Sequence, residues 1–108
     1  MSFKLIIVIT HPDKTDDIVD AAKAVGAKGA TIIPSRGTGI EEAKTFFGLS
    51  LEDQRETILF LVEEDIMVKV RDAITVAGRL NEHGTGIAII VNAQEVVGIT
   101  SQIMDIQG

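Results

Sequence analysis

The sequence predicts an α+β fold: a four-stranded antiparallel sheet, two helices packed on one of its faces, and a short C-terminal strand. Three observations carry that reading. Apolar runs of strand length alternate with stretches of helical period in the order βαββαβ. The chain has 108 residues, which suits one core. Hydrophobic residues make up 45% of it, enough to fill that core, while the lack of cysteine excludes disulfides, thiolate metal sites and a thiol nucleophile.

The first strand is Phe3-Lys4-Leu5-Ile6-Ile7-Val8-Ile9-Thr10, apolar on both faces from Leu5 onward as in a central, covered strand. His11-Pro12-Asp13-Lys14 turns the chain. Thr15 reads as the N-cap of a helix, with Asp16 and Asp17 in the first turn, where carboxylates suit the helix dipole. Ile18, Ala21, Ala22 and Val25 form its apolar face, and Gly26 is its stop. Ala30-Thr31-Ile32-Ile33 is the second strand, confined to an edge or a bulge by Pro34. A long polar connection follows, at about residues 36–56, and connections of this length in small domains are usually functional or mobile.

Thr57-Ile58-Leu59-Phe60-Leu61-Val62 is the third strand. Glu63, Glu64 and Asp65 open a second helix whose apolar face is Ile66, Val70, Ala73, Ile74, Ala77 and Leu80, with Gly78 weakening its last turn. Residues 87–91 form the fourth strand, and Val96-Val97-Gly98-Ile99 a short fifth. This order is that of the split βαβ, or ferredoxin-like, arrangement. Both helices then cover the same face. The strands, however, are apolar on both faces, so the other face would leave a patch larger than monomers tolerate. A homo-oligomer that buries it is expected; the alternative is that the long connection folds back over it.

Composition narrows the function classes. The net charge is −6, Lys and Arg form no basic stripe, and there is no Trp or Tyr, which argues against nucleic acid as a partner. The start lacks the pattern of a signal peptide, and residues 5–9 are too short to span a bilayer, so a cytoplasmic protein is the expectation.

Gly-Thr-Gly occurs twice, as Gly37-Thr38-Gly39 and Gly84-Thr85-Gly86, each beside a strand. Glycines at such joints allow positive φ and close approach to a ligand, and successive N–H groups there can hold an anion. Two ordinary turns are the plainer explanation. Arg36 directly precedes the first copy, a cation beside possible anion-facing amides or simply a solvated side chain. Phe46-Phe47 in the long connection is either a partner anchor or a pin that docks the segment onto the body. His11 and His83, with Asp13, lack metal-ligand spacing; Ser35, Thr45 and Ser50 lack a nucleophile context; Glu41, Glu42, Glu52 and Asp53 read as a solvated face. No catalytic set or metal site emerges, and no Walker A sequence is present. A non-enzymatic protein is expected.

Several segments together carry a resemblance. They are residues 12–17 entering the first helix, residues 25–31 leaving it, Ser35-Arg36-Gly37-Thr38-Gly39, His83-Gly84-Thr85-Gly86 and Val96-Val97-Gly98-Ile99-Thr100. In that order and spacing the chain resembles the PII-type signalling proteins, with residues 35–39 at the start of their mobile T-loop, 83–86 in the latter half of their B-loop and 96–100 in their C-loop region. The resemblance implies a cytoplasmic homotrimer of ferredoxin-like subunits, acting in nitrogen regulation. An adenine nucleotide would lie in the cleft between subunits, and a regulated partner, such as a membrane transporter or an enzyme, would be contacted through the long loop. It puts Thr31 and Gly37 near the adenine, and Gly84 and Gly86 facing phosphates. The chain departs from the family where cations are expected. Ile87 stands at the B-loop lysine, and Gly98-Ile99-Thr100 replaces an Arg-x-Arg pair. At about 1.5–3 kcal/mol per charge-assisted contact, these losses imply weak or absent ATP binding, and ADP, AMP or another small metabolite as effector. With Ile40 and Glu41 where the T-loop carries its Gln, Mg²⁺-dependent 2-oxoglutarate binding is also doubtful, and the absence of Tyr excludes tyrosine uridylylation. Two alternatives from other classes are a small ferredoxin-like enzyme acting on acyl or phosphoryl groups through Arg36 and the glycine-loop amides, and a metal-binding trimer of the divalent-cation-tolerance type using His11 or His83.

Overall fold

A computed structural model describes residues 2–37, 45–46, 49–50 and 53–99. The strands are β1 (Phe3–Thr10), β2 (Thr31–Gly37), the short pair β3 (Thr45–Phe46) and β4 (Leu49–Ser50), β5 (Asp53–Glu63) and β6 (Gly86–Ala93). The helices are α1 (Thr15–Ala24) and α2 (Met67–Ala77), each entered through a single 3₁₀ turn. The main sheet is antiparallel in the order β2-β5-β1-β6, and among the described residues β3 pairs with β4. This is the expected α+β, ferredoxin-like topology.

Strand register explains the two faces. Ile6 pairs with Phe60 and Ile90, and Val8 with Ile58 and Ala88, so alternate residues of three strands share one side. That side meets the helices. Ile6, Val8, Ile58, Phe60, Ile18, Ala22, Val70 and Ile74 are all fully buried there. The opposite side carries Leu5, Ile7, Ile9, Leu59 and Leu61, flanked by Ile87, Ile89 and Val91, which remain 54%, 43% and 40% exposed. The apolar open face anticipated from the two-sided strands is therefore present. Most of the long connection, the alternative cover for it, lies outside the described residues.

The two helices lie close together because of a glycine. A Cβ at Gly78 would sit 3.0 Å from Ile18 Cδ1 and 3.2 Å from the Ile74 carbonyl oxygen. Gly78 thus permits the α1–α2 contact, whereas the left-handed residue that ends α2 is Arg79, at φ 53. Gly26, at φ 118, ends α1 as expected, with its N–H on the Lys23 carbonyl and the Ala27 N–H on that of Ala22.

Four details differ from the sequence reading. β2 runs on through Pro34 to Gly37, which an edge strand allows because a missing N–H costs no ladder bond on its outer side. β5 starts at Asp53, so both ends of the long connection belong to the sheet. Thr15 is the first residue of α1 and not its cap: Lys14 holds the cap position, and the Thr15 hydroxyl donates to Glu56 Oε1 at 2.6 Å. The fifth strand at residues 96–99 does not form. Gly98 sits at φ 96, a left-handed conformation that interrupts an extended run, and Val97 is 90% exposed.

Candidate functional site

Gly37 of the first glycine motif and the second motif lie toward the same end of the sheet but on its opposite edges. Gly37 closes β2 and Gly86 opens β6, with β5 and β1 between them. At ~4.8 Å per strand spacing, their strands stand roughly 14 Å apart. Thr31 is at the other end of β2. Gly37 lies six residue steps further on, about 20 Å of extended chain at ~3.3 Å per residue. One protomer therefore does not gather Thr31, Gly37 and the Gly84–Gly86 turn around a single small molecule. Thr38, Gly39 and Phe47 lie outside the described residues. Phe46 lies in β3.

The second glycine motif is built into the fold. A Cβ on Gly86, at φ 151, would lie 2.3 Å from the Ile9 carbonyl oxygen and 3.2 Å from Thr10 Cα. Only glycine lets β6 come that near to β1. The Thr85 hydroxyl lies 2.7 Å from the Arg79 carbonyl oxygen and 3.0 Å from that of Glu82, tying the turn to the end of α2. The buried Thr10 hydroxyl reaches the Thr85 carbonyl at 3.4 Å. Gly84, at φ 79, offers its carbonyl to His11 Nε2 at 3.1 Å. The first motif is different: among the described residues nothing stands within 4 Å of a Cβ built on Gly37.

Pairing also separates the two arginines at this end. Arg36 pairs with Gln54, on the side shared with Ile32 and Ile58. Arg55 pairs with Ser35, on the open face with Thr57 and Leu59. Its Nη1 lies 3.0 Å from His11 Nε2, and Ser35 Oγ lies 2.7 Å from Thr57 Oγ1. A polar row of Ser35, Thr57, Arg55 and His11 thus runs across the sheet end toward Gly84. Arg55 escaped the sequence reading because residues 53–56 looked like loop. Carrying the alternation of Leu61, Leu59 and Thr57 back one step would have placed it on the open face.

Thr31 lines a cavity of about 300 Å³ at the far end of the sheet. Lys28, Leu59, Leu61, Ile66 and Ile99 also line it, so the structure does bring Thr31 together with part of the 96–100 segment. Its walls are mainly apolar, with Lys28 and Glu63 as charged groups. Among the described residues no group of three His, Asp or Glu side chains is placed to hold a metal ion, and no helix is long and apolar enough to cross a membrane.

Compared with known proteins, residues 3–102 match the model of the family described as Nitrogen regulatory protein P-II. No curated protein matches the chain.

Proposed function

The chain belongs to the P-II nitrogen regulatory protein family, and from that premise we propose that it is the subunit of a homotrimeric regulator. Its effector is a small molecule bound between subunits, and the 38–52 connection, with Phe46 and Phe47, engages a regulated protein. The observation that carries this reading is the separation of the motif residues. Thr31 and the Gly84–Gly86 turn lie on opposite edges of one sheet, three strand spacings across, about 14 Å, and about three residues along. They serve one ligand only if the Thr31 edge of one subunit faces the glycine edge of its neighbour. The open face provides the means of association. Ile33, Ile87, Ile89 and Val91 are 44%, 54%, 43% and 40% exposed, and burying each fully is worth about 1 kcal/mol, half the ~1.5–3 kcal/mol of a whole aliphatic side chain.

In this cleft the apolar cavity beside Thr31 takes a flat ring, and Arg36, Gly37, Thr38, Gly39, Gly84, Thr85 and Gly86 supply polar contacts. The shortage of cations at Ile87, Gly98 and Thr100 favours ADP or AMP over ATP. Native mass spectrometry of the purified protein tests the assembly, and calorimetry with AMP, ADP and ATP, with and without Mg²⁺, tests the ligand. The expected result is a trimer that binds AMP or ADP more tightly than ATP. A monomer, or tight Mg²⁺-dependent ATP binding, overturns the proposal.

A further inference from the structure

One nitrogen of His11 has two neighbours that require opposite things of it. Arg55 Nη1, which can only donate, lies 3.0 Å from Nε2. The Gly84 carbonyl oxygen, which can only accept, lies 3.1 Å from the same atom. In a neutral imidazole Nε2 carries either a proton or a lone pair. With the lone pair at Nε2 and the proton on Nδ1, His11 accepts from Arg55 and faces the Gly84 oxygen lone pair to lone pair. With the proton at Nε2, it donates to Gly84 and turns an N–H toward a guanidinium. No single tautomer satisfies both contacts.

The two neighbours belong to different working parts. Arg55 is the third residue of β5, where the 38–52 connection rejoins the sheet. Gly84 lies in the turn that leads into β6. We propose that His11 is a tautomeric coupler between them, a positioning residue that reports the place of Arg55 to the glycine turn. With Arg55 in place the Nδ1–H tautomer holds, because a charge-assisted hydrogen bond is about twice as strong as a neutral one, and the exposed Gly84 carbonyl takes its hydrogen bond from water. When Arg55 is drawn away by an anion, the proton moves through solvent from Nδ1 to Nε2. His11 then donates to Gly84 and fastens the turn. The coupling needs no strand displacement, and it does not depend on the identity of the effector proposed above.

The test reads the imidazole directly. Long-range ¹⁵N-resolved NMR of the full chain, at alkaline pH, assigns the proton to Nδ1 or Nε2. The wild type is expected to be mainly the Nδ1–H tautomer and Arg55→Met mainly the Nε2–H tautomer. Amide exchange in residues 84–86 is expected to slow severalfold in Arg55→Met. That slowing is expected to vanish when Arg55→Met is combined with His11→Phe. A wild type that is mainly Nε2–H overturns the proposal without any variant. So does an unchanged tautomer in Arg55→Met, or slowing that persists in the double variant.

Discussion

Gly86→Ala separates the two reasons a glycine can sit in the second Gly-Thr-Gly motif. If the glycine only lets a ligand approach, alanine weakens binding and leaves folding alone. The structure requires the opposite order of effects. Alanine at φ 151 carries a backbone strain of about 1–3 kcal/mol. Its Cβ also meets the Ile9 carbonyl oxygen at 2.3 Å, where ordinary contact begins near 3.4 Å. β6 must therefore retreat from β1 by about 1 Å at the Thr10–Gly86 pair, at the loss of roughly one hydrogen bond, about 0.5–1.5 kcal/mol. Together these predict destabilisation of about 2–4 kcal/mol. With a urea m-value of about 2 kcal/mol/M, the midpoint falls by about 1–2 M. The assay is urea unfolding followed by circular dichroism, at one fixed protein concentration because association is linked to stability. Gly37→Ala is the control. Its φ is not positive and, among the described residues, no atom stands within 4 Å of the added Cβ, so its stability is expected within about 0.5 kcal/mol of wild type. A Gly86→Ala midpoint within 0.3 M of wild type, on the order of experimental scatter, would refute the packing argument.

Three other substitutions probe the remaining links. Phe60 is fully buried between the sheet and the helices, so Phe60→Ala is expected to destabilise by about 3–5 kcal/mol, read from the same unfolding curves. Thr15→Val keeps the shape of a buried side chain but removes the donor to Glu56; a loss of about 1.5–3 kcal/mol is expected for a hydrogen bond to a carboxylate, and an unchanged midpoint would show the bond to be idle. Ile89→Asp puts a charge on the β6 edge of the open face, 43% exposed in the protomer. Sedimentation velocity is expected to show loss of the assembly, while circular dichroism stays that of the folded subunit.

The order of elements, the helix faces and the two-sided apolar strands are local properties, and periodicity alone identifies them. Ile18 and Ala22 on α1, and Val70 and Ile74 on α2, proved to be the core residues that helical spacing selects. The apolar open face followed from the same logic, because two helices cover one side of a four-stranded sheet. The family resemblance drawn on short segments agrees with the match over residues 3–102. Sequence alone did not settle where strands end. Hydrogen bonding between partners distant in the chain carries β2 past Pro34 and starts β5 at Asp53, and nothing in residues 34–37 or 53–56 read alone announces that pairing. Nor did it settle which residues meet at the sheet end. Arg55, His11 and Gly84 are far apart in sequence and converge only through register. The second Gly-Thr-Gly motif shows the division most clearly. The sequence determined that glycine stands at residue 86. Only the tertiary structure decided why, because the reason is the Ile9 backbone lying where a side chain would have to go.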